Sequence, residues 1–159
     1  MSKFSVMTKI QVRFCDFDVL GHLNNAIFST YIELARVHFM QDILGLDLTQ
    51  ITGVVANYNI DYKRPVKFGT QIVVLSRAES DASGRIVNMT FEFVNAKDLN
   101  KVYAVATQRM VAVDPQTSQL ANLPKRIQRD LELLMAGELK HPDVVEQVVE
   151  EEVEVGRAG

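Results

Sequence analysis

Residues 26–44 repeat at helical spacing and are apolar on almost every side. Ile27, Tyr31, Leu34 and His38 fall along one side, and Phe28, Ile32, Ala35 and Phe39 along a neighbouring one, leaving only a narrow polar stripe through Ser29, Glu33 and Arg36. Such a helix needs cover on most of its surface. A sheet that curves around it provides this, whereas a flat sheet touching one face does not. Asp16, Asp18, Gly21, Asn24 and Asn25 form a turn-rich, cap-forming entry to the helix, and Gly45 marks its stop.

The flanking segments supply such a sheet. Residues 8–14 alternate polar with apolar and predict a half-buried strand ending near Cys15. Residues 54–64 alternate again, with Ala56, Tyr58, Ile60 and Tyr62 facing one way and Asn57, Asn59, Asp61 and Lys63 the other, before Pro65. Three longer strands follow at 71–80, 85–95 and 102–114, with Val87, Met89, Phe91 and Phe93 sharing one face of the second. The links at 81–84 and 96–101 are too short for parallel crossovers, so these strands are antiparallel neighbours. Leu123-Pro124 opens a short second helix reaching about Met135. The expected fold is α+β: an antiparallel sheet of about five strands wrapped around one long helix.

At 159 residues the chain is one domain's worth, and its 47% apolar and 23% charged residues fit an ordinary globular protein. Residues 138–159 carry seven acids against Lys140 and Arg157, a net of −5, which leaves +2 on residues 1–137. The expected division is therefore a folded domain over 1–137 and an acidic, solvated tail over 138–159. A body charge this small is no footprint for nucleic acid, though it accommodates a small anion. No apolar run is long enough for a membrane span, and a cytoplasmic location is the default expectation. One cysteine and three histidines make a poor inventory for a metal site, so no metal is expected.

Chemistry concentrates at the entry to the apolar helix. There is no Gly-x-Ser-x-Gly elbow, Walker loop, Gly-x-Gly-x-x-Gly or His-Glu-x-x-His pair. The first amides of a helix lack internal partners and, with the helix dipole, suit an oxygen gaining negative charge. With Asn24 as the cap, the Asn25 amide faces outward, and Asp18 stands six residues earlier on a turn that can fold back toward it. A carboxylate beside an oxyanion site can carry out acyl transfer, either by attacking a carbonyl or by taking a proton from water. The plainer reading of Asp18 is an Asx-turn or capping residue.

The run Val-Arg-Phe-x-Asp-x-Asp-x-x-Gly-His-x-Asn-Asn over 12–25, followed by Phe28, Tyr31, Glu33, Ala35 and Arg36, resembles the signature of hotdog-fold acyl-CoA thioesterases of the 4-hydroxybenzoyl-CoA thioesterase type. Tyr62-Lys-Arg-Pro65, Gly69 and the strand order extend the resemblance over residues 8–136. It implies that Asp18, not Asp16, is the catalytic carboxylate and that Asn25 sits where a helix-start amide meets the thioester oxygen. His22 becomes a pocket-lining or Asp-orienting residue, and Asn59 a strand position facing the acyl pocket. Lys63, Arg64, Lys67, Arg77 and Arg85 are the cations available for coenzyme A phosphates, with Arg85 nearest to where relatives keep basic residues. Glu33 and Arg36 form a helix-surface pair, and His38 is a satisfied core residue.

The expected function is thus hydrolysis of an acyl-CoA to the free acid and coenzyme A, without metal or organic cofactor. The alternative is a non-catalytic module that binds or senses acyl thioesters. Hydration of an acyl thioester fits less well, since no His and acid stand in that pattern. A sheet wrapped on one helix leaves an edge to cover, so a homodimer or homotetramer is expected, with an active site shared between subunits and the neighbouring subunit supplying pocket and phosphate contacts.

Overall fold

The computed structural model describes residues 2–148. Six strands and two helices run in the order β1 (Ser2–Lys9), α1 (Asn25–Val37), β2 (Thr52–Tyr62), β3 (Ile72–Ser80), β4 (Ile86–Asn95), β5 (Asp98–Val113), α2 (Lys125–Ala136) and β6 (Val144–Val148). All pairings are antiparallel, in the sheet order β2-β5-β4-β3-β1-β6. The sheet curls around α1 as the hotdog fold does. No helix among the described residues is long and apolar enough to cross a membrane.

Alternation builds the inner face. Val87, Met89, Phe91 and Phe93 of β4 are all buried, as are Ile72, Val74 and Ala78 of β3 and Ala104, Ala106, Met110 and Ala112 of β5. Against them α1 buries Phe28, Tyr31, Ile32 and Ala35, and the Phe28 ring meets Phe93 edge-on at 4.9 Å and Tyr62 at 5.2 Å. Asn24 caps the helix, its side chain accepting from the Ala26 amide at 3.0 Å. The second helix packs Ile127, Leu131 and Leu134 on the same core.

Four expectations change. The first strand is Ser2–Lys9 rather than 8–14, although the alternation continues past Lys9. Lys9 pairs with Val73, and the partner strand begins only at Ile72, so the chain has no ladder left to join. Residues Phe14–Asp16 instead form a 3-10 turn. The long helix is α-helical only to Val37 and continues as a π-helical turn over His38–Ile43, ending at Gly45 with φ of 60°. The link before β5 is tighter than 96–101, because β5 starts at Asp98. Finally, part of the segment read as a solvated tail is a sixth strand, with Val145 opposite Ser5 and Val144 opposite Val6. The acidic run at 150–152 lies outside the described residues.

His38 is satisfied, as expected, but half-buried rather than in the core. Its Nδ1 lies 2.8 Å from the Thr8 hydroxyl, and its Nε2 3.2 Å from the Asp143 carboxylate. Asp143 in turn accepts the Met7 amide on its carbonyl, so this histidine ties the chain before β6 to the end of α1.

One stripe of α1 stays uncovered. Leu34 and Val37 are exposed, and so are Val55 and Tyr58 of the edge strand β2. The sheet of a single chain covers less of the helix than its apolar surface implies.

Candidate active site

Two aspartates two residues apart meet opposite fates. Asp16 is sealed: its side chain is 1% exposed, and it accepts from the Arg13 backbone amide, the Arg13 guanidinium and the Tyr31 hydroxyl of α1. The Arg13 hydrogen bond first, and Tyr31 after it, hold the Asp16 carboxyl down at about 2. Tyr31 is pushed well above its usual range by burial and then by Asp16. The Asp16 carbonyl also receives the amide of Asn24 at 2.9 Å, so this saturated carboxylate fixes where α1 begins.

Asp18 is half-buried and lies on the far side of the turn. Its Oδ1 accepts the amides of Leu20 (2.9 Å) and His22 (3.0 Å), and its own amide donates to the His22 carbonyl at 2.8 Å. Gly21, at φ of 72°, closes the loop in a backbone region that favours glycine. The turn role foreseen for Asp18 is therefore real, but it occupies one oxygen. Oδ2 accepts nothing among the described residues, and Asp18 lines a cleft of about 270 Å³. Turn and cleft roles coexist.

That cleft also takes in His22, Leu23, Asn25, Phe28, Tyr62, Lys63, Arg64, Pro65 and Val66. Phe28 forms a buried apolar wall, and Asn25 is the first residue of α1, with no hydrogen bond to its amide among the described residues. The Tyr62 hydroxyl donates to the Asn25 carbonyl at 3.4 Å. Burial, then Tyr58, raises the Tyr62 pKa, which keeps the phenol protonated. Arg64 is braced by its Nη1 on the Val102 carbonyl, 2.9 Å away. Lys67 adjoins through the backbone bridge between His22 and Lys67.

The structure thus gathers Asp18, His22, Asn25 and Arg64 around one space, and it separates two other expected residues from them. Asn59 is corrected: Tyr58, Ile60 and Tyr62 face α1, so Asn59 alternates onto the outer face of β2. Arg85 stands apart from the cleft of its own chain. It precedes Ile86, which lies level with Val111 and Val54, whereas the cleft lies level with Phe93, Ala104 and Tyr62. Seven strand residues separate the two levels, roughly 23 Å, and the Arg85 Nε binds Asn122 at 3.0 Å. Arg77 is engaged by Glu92 at 2.6 Å on the outer face. Sequence reasoning gave Tyr62 no site role, although its alternation with Tyr58 and Ile60 was a usable signal. No cluster of three or more His, Cys, Asp or Glu residues suited to a metal occurs among the described residues.

The profile of the Thioesterase-like superfamily matches residues 12–131. The long-chain acyl-CoA thioesterase FadM of Escherichia coli K12 is 25% identical over 133 residues, spanning 82% of this chain and 99% of FadM. A thioesterase from Thermus thermophilus, solved with coenzyme A and zinc, is 30% identical with a TM-score of 0.67, over 82% of this chain and 95% of that one. The PA5185 protein of Pseudomonas aeruginosa PAO1 shares the fold at a TM-score of 0.71 and 21% identity, over 86% of this chain and 92% of that one. The chain belongs to the Thioesterase-like superfamily and is a thioester hydrolase.

Proposed function

We propose that this chain hydrolyses acyl-CoA thioesters to the free acid and coenzyme A. The observation that carries the reading is that a carboxylate with one unengaged oxygen, Asp18, and the first amide of α1, at Asn25, line the same cleft. The Asn25 amide, with the helix dipole behind it, receives the carbonyl oxygen as it gains charge. Asp18 acts as nucleophile or general base. As base it takes a proton from a water that adds to the carbonyl carbon, after which the carbon–sulfur bond breaks and coenzyme A leaves as the thiolate, which takes up the proton. As nucleophile it forms an acyl anhydride that water then opens. Label found in the Asp18 carboxylate after a single turnover in ¹⁸O-water marks the anhydride route with water adding at the Asp18 carboxyl carbon. The chemistry is assigned to the chain's own groups, coenzyme A being part of the substrate.

Lys63 and Arg64 at the cleft, with Lys67 beside it, offer the charge that coenzyme A phosphates need. Replacing Lys63 and Arg64 together by Ala is expected to raise KM for acyl-CoAs roughly 10- to 100-fold with kcat nearly unchanged. Thioesters of N-acetylcysteamine, which lack the nucleotide, are expected to be hydrolysed equally by both proteins. Steady-state kinetics on the two substrate types checks this, and an equal loss on both would remove these cations from phosphate binding.

The uncovered stripe of α1 and the free edge of β2 support a two-fold dimer in which a second copy completes the wall of the cleft. Sedimentation is expected to give twice the chain mass, or four times where dimers pair. Leu34→Asp with Val55→Asp is expected to shift it to the single-chain mass. A wild-type protein that sediments as a monomer contradicts the dimer.

A further inference from the structure

A second apolar surface stands apart from the α1 and β2 stripe. Phe14, Val19, Leu20 and Phe68 are 83%, 102%, 74% and 65% exposed. They project from two neighbouring turns and the 3-10 turn before them. The first turn is closed by Asp18 and Gly21, the second by the Thr70 amide on the Lys67 carbonyl at 3.0 Å. The bridge between His22 and Lys67 joins the turns, and Phe68 meets the rings of Phe14 and Phe17 edge-on at 5.7 and 5.3 Å. A Cβ built on Gly21 or Gly69 meets nothing within 4 Å, so both backbones stand in open solvent.

Three cations border these side chains. Lys63, Arg64 and Lys67 are exposed and form no ion pair among the described residues. Arg13 is committed to Asp16. Facing these cations are Asp16, already compensated, Asp18 in the cleft, and Asp61 on the outer face of β2. The border is therefore net positive, and the apolar residues within it are exposed on turn tips. Exposed apolar side chains held on turn tips insert into a lipid phase, which deforms around them. Apolar side chains at turn tips with cations around them match the boundary between acyl chains and anionic headgroups.

We propose that the Phe14, Val19, Leu20 and Phe68 tips dock this enzyme on an anionic phospholipid bilayer, with the mouth of the Asp18 cleft turned toward the membrane surface. The turns hold the tips in place before contact, so little conformational freedom is lost on docking. Such docking places the cleft where amphiphilic thioesters and their fatty-acid products partition.

The test is flotation of the full chain with vesicles of phosphatidylglycerol and phosphatidylcholine, against vesicles of phosphatidylcholine alone, at low and high salt. Expected is binding to the anionic vesicles, weakened by salt, and weak or no binding to the neutral ones. Val19→Ser with Leu20→Ser is expected to lower that binding at least tenfold, with hydrolysis of a short, water-soluble acyl-CoA and the sedimenting mass both unchanged. Phe68→Ser, on the other turn, is expected to lower binding in the same direction. No binding by the wild type, equal binding to both vesicle types, or tip variants that bind as the wild type does would each overturn the proposal. A fall in sedimenting mass on tip substitution would overturn it as well, by assigning the tips to a second copy of the chain.

Discussion

Asp18→Asn is expected to lower kcat on acyl-CoAs by about 10²–10⁴-fold while leaving KM and thermal stability close to the wild type. The two halves of that expectation come from different oxygens. The turn is held through Oδ1, which accepts the Leu20 and His22 amides, and an asparagine carbonyl oxygen accepts the same two bonds. What the amide lacks is the charge on the second oxygen, which is the one open to the cleft. An amide neither adds to a thioester carbon nor takes a proton from water at neutral pH. Circular dichroism melting beside a thiol-release assay checks both halves. A near-normal rate removes Asp18 from the mechanism, and an unfolded variant shows that the turn role outweighs the chemical one.

Asp16→Asn is expected to behave in the opposite way. It removes a sealed charge that holds Arg13, Tyr31 and the start of α1 together, at a cost of about 2–4 kcal/mol, or on the order of 5–15 °C in Tm for a domain of this size. Residual activity per folded molecule is expected to stay well above that of Asp18→Asn. The same group gives the wild type a pH signature. With the folded carboxyl held at about 2 against an ordinary 3.8, its stabilising contribution is complete above about pH 4 and is lost as the pH falls toward 2. Urea denaturation between pH 5 and 2 is expected to show a steep loss of stability for the wild type and a shallower one for Asp16→Asn. Parallel profiles contradict this assignment.

How much of this was visible in the sequence depended on whether the deciding information was local. The row Val87, Met89, Phe91 and Phe93 announces a strand and its buried face without reference to anything distant, and the structure keeps both. Asp18, His22 and Asn25 lie within eight consecutive residues and were brought to one cleft by turn and cap preferences that a sequence displays directly. The end of β1 was not legible, because residues 8–14 keep alternating and the limit is set by where β3 begins. Nor was β6, whose valines are mixed with acids and which forms by pairing with a strand more than 130 residues earlier. The placement of Asn59 and Arg85 within the chain was hidden for a related reason. The alternation of β2 already set Asn59 opposite the tyrosines, but which row meets α1 is a tertiary fact. The level of Arg85 depends on the register of β4 on β5 and β2.

The proposed hydrolysis requires a thioester carbon to reach Asp18 and the α1 amide together. Its most direct test is a free-thiol assay with wild-type protein across short, long and aromatic acyl-CoAs, run beside equilibrium binding of the same compounds. Catalytic release of coenzyme A thiol from at least one acyl-CoA is the predicted result. Tight binding of acyl-CoAs with no thiol released from any of them would contradict it and leave the cleft a site that holds thioesters without cleaving them.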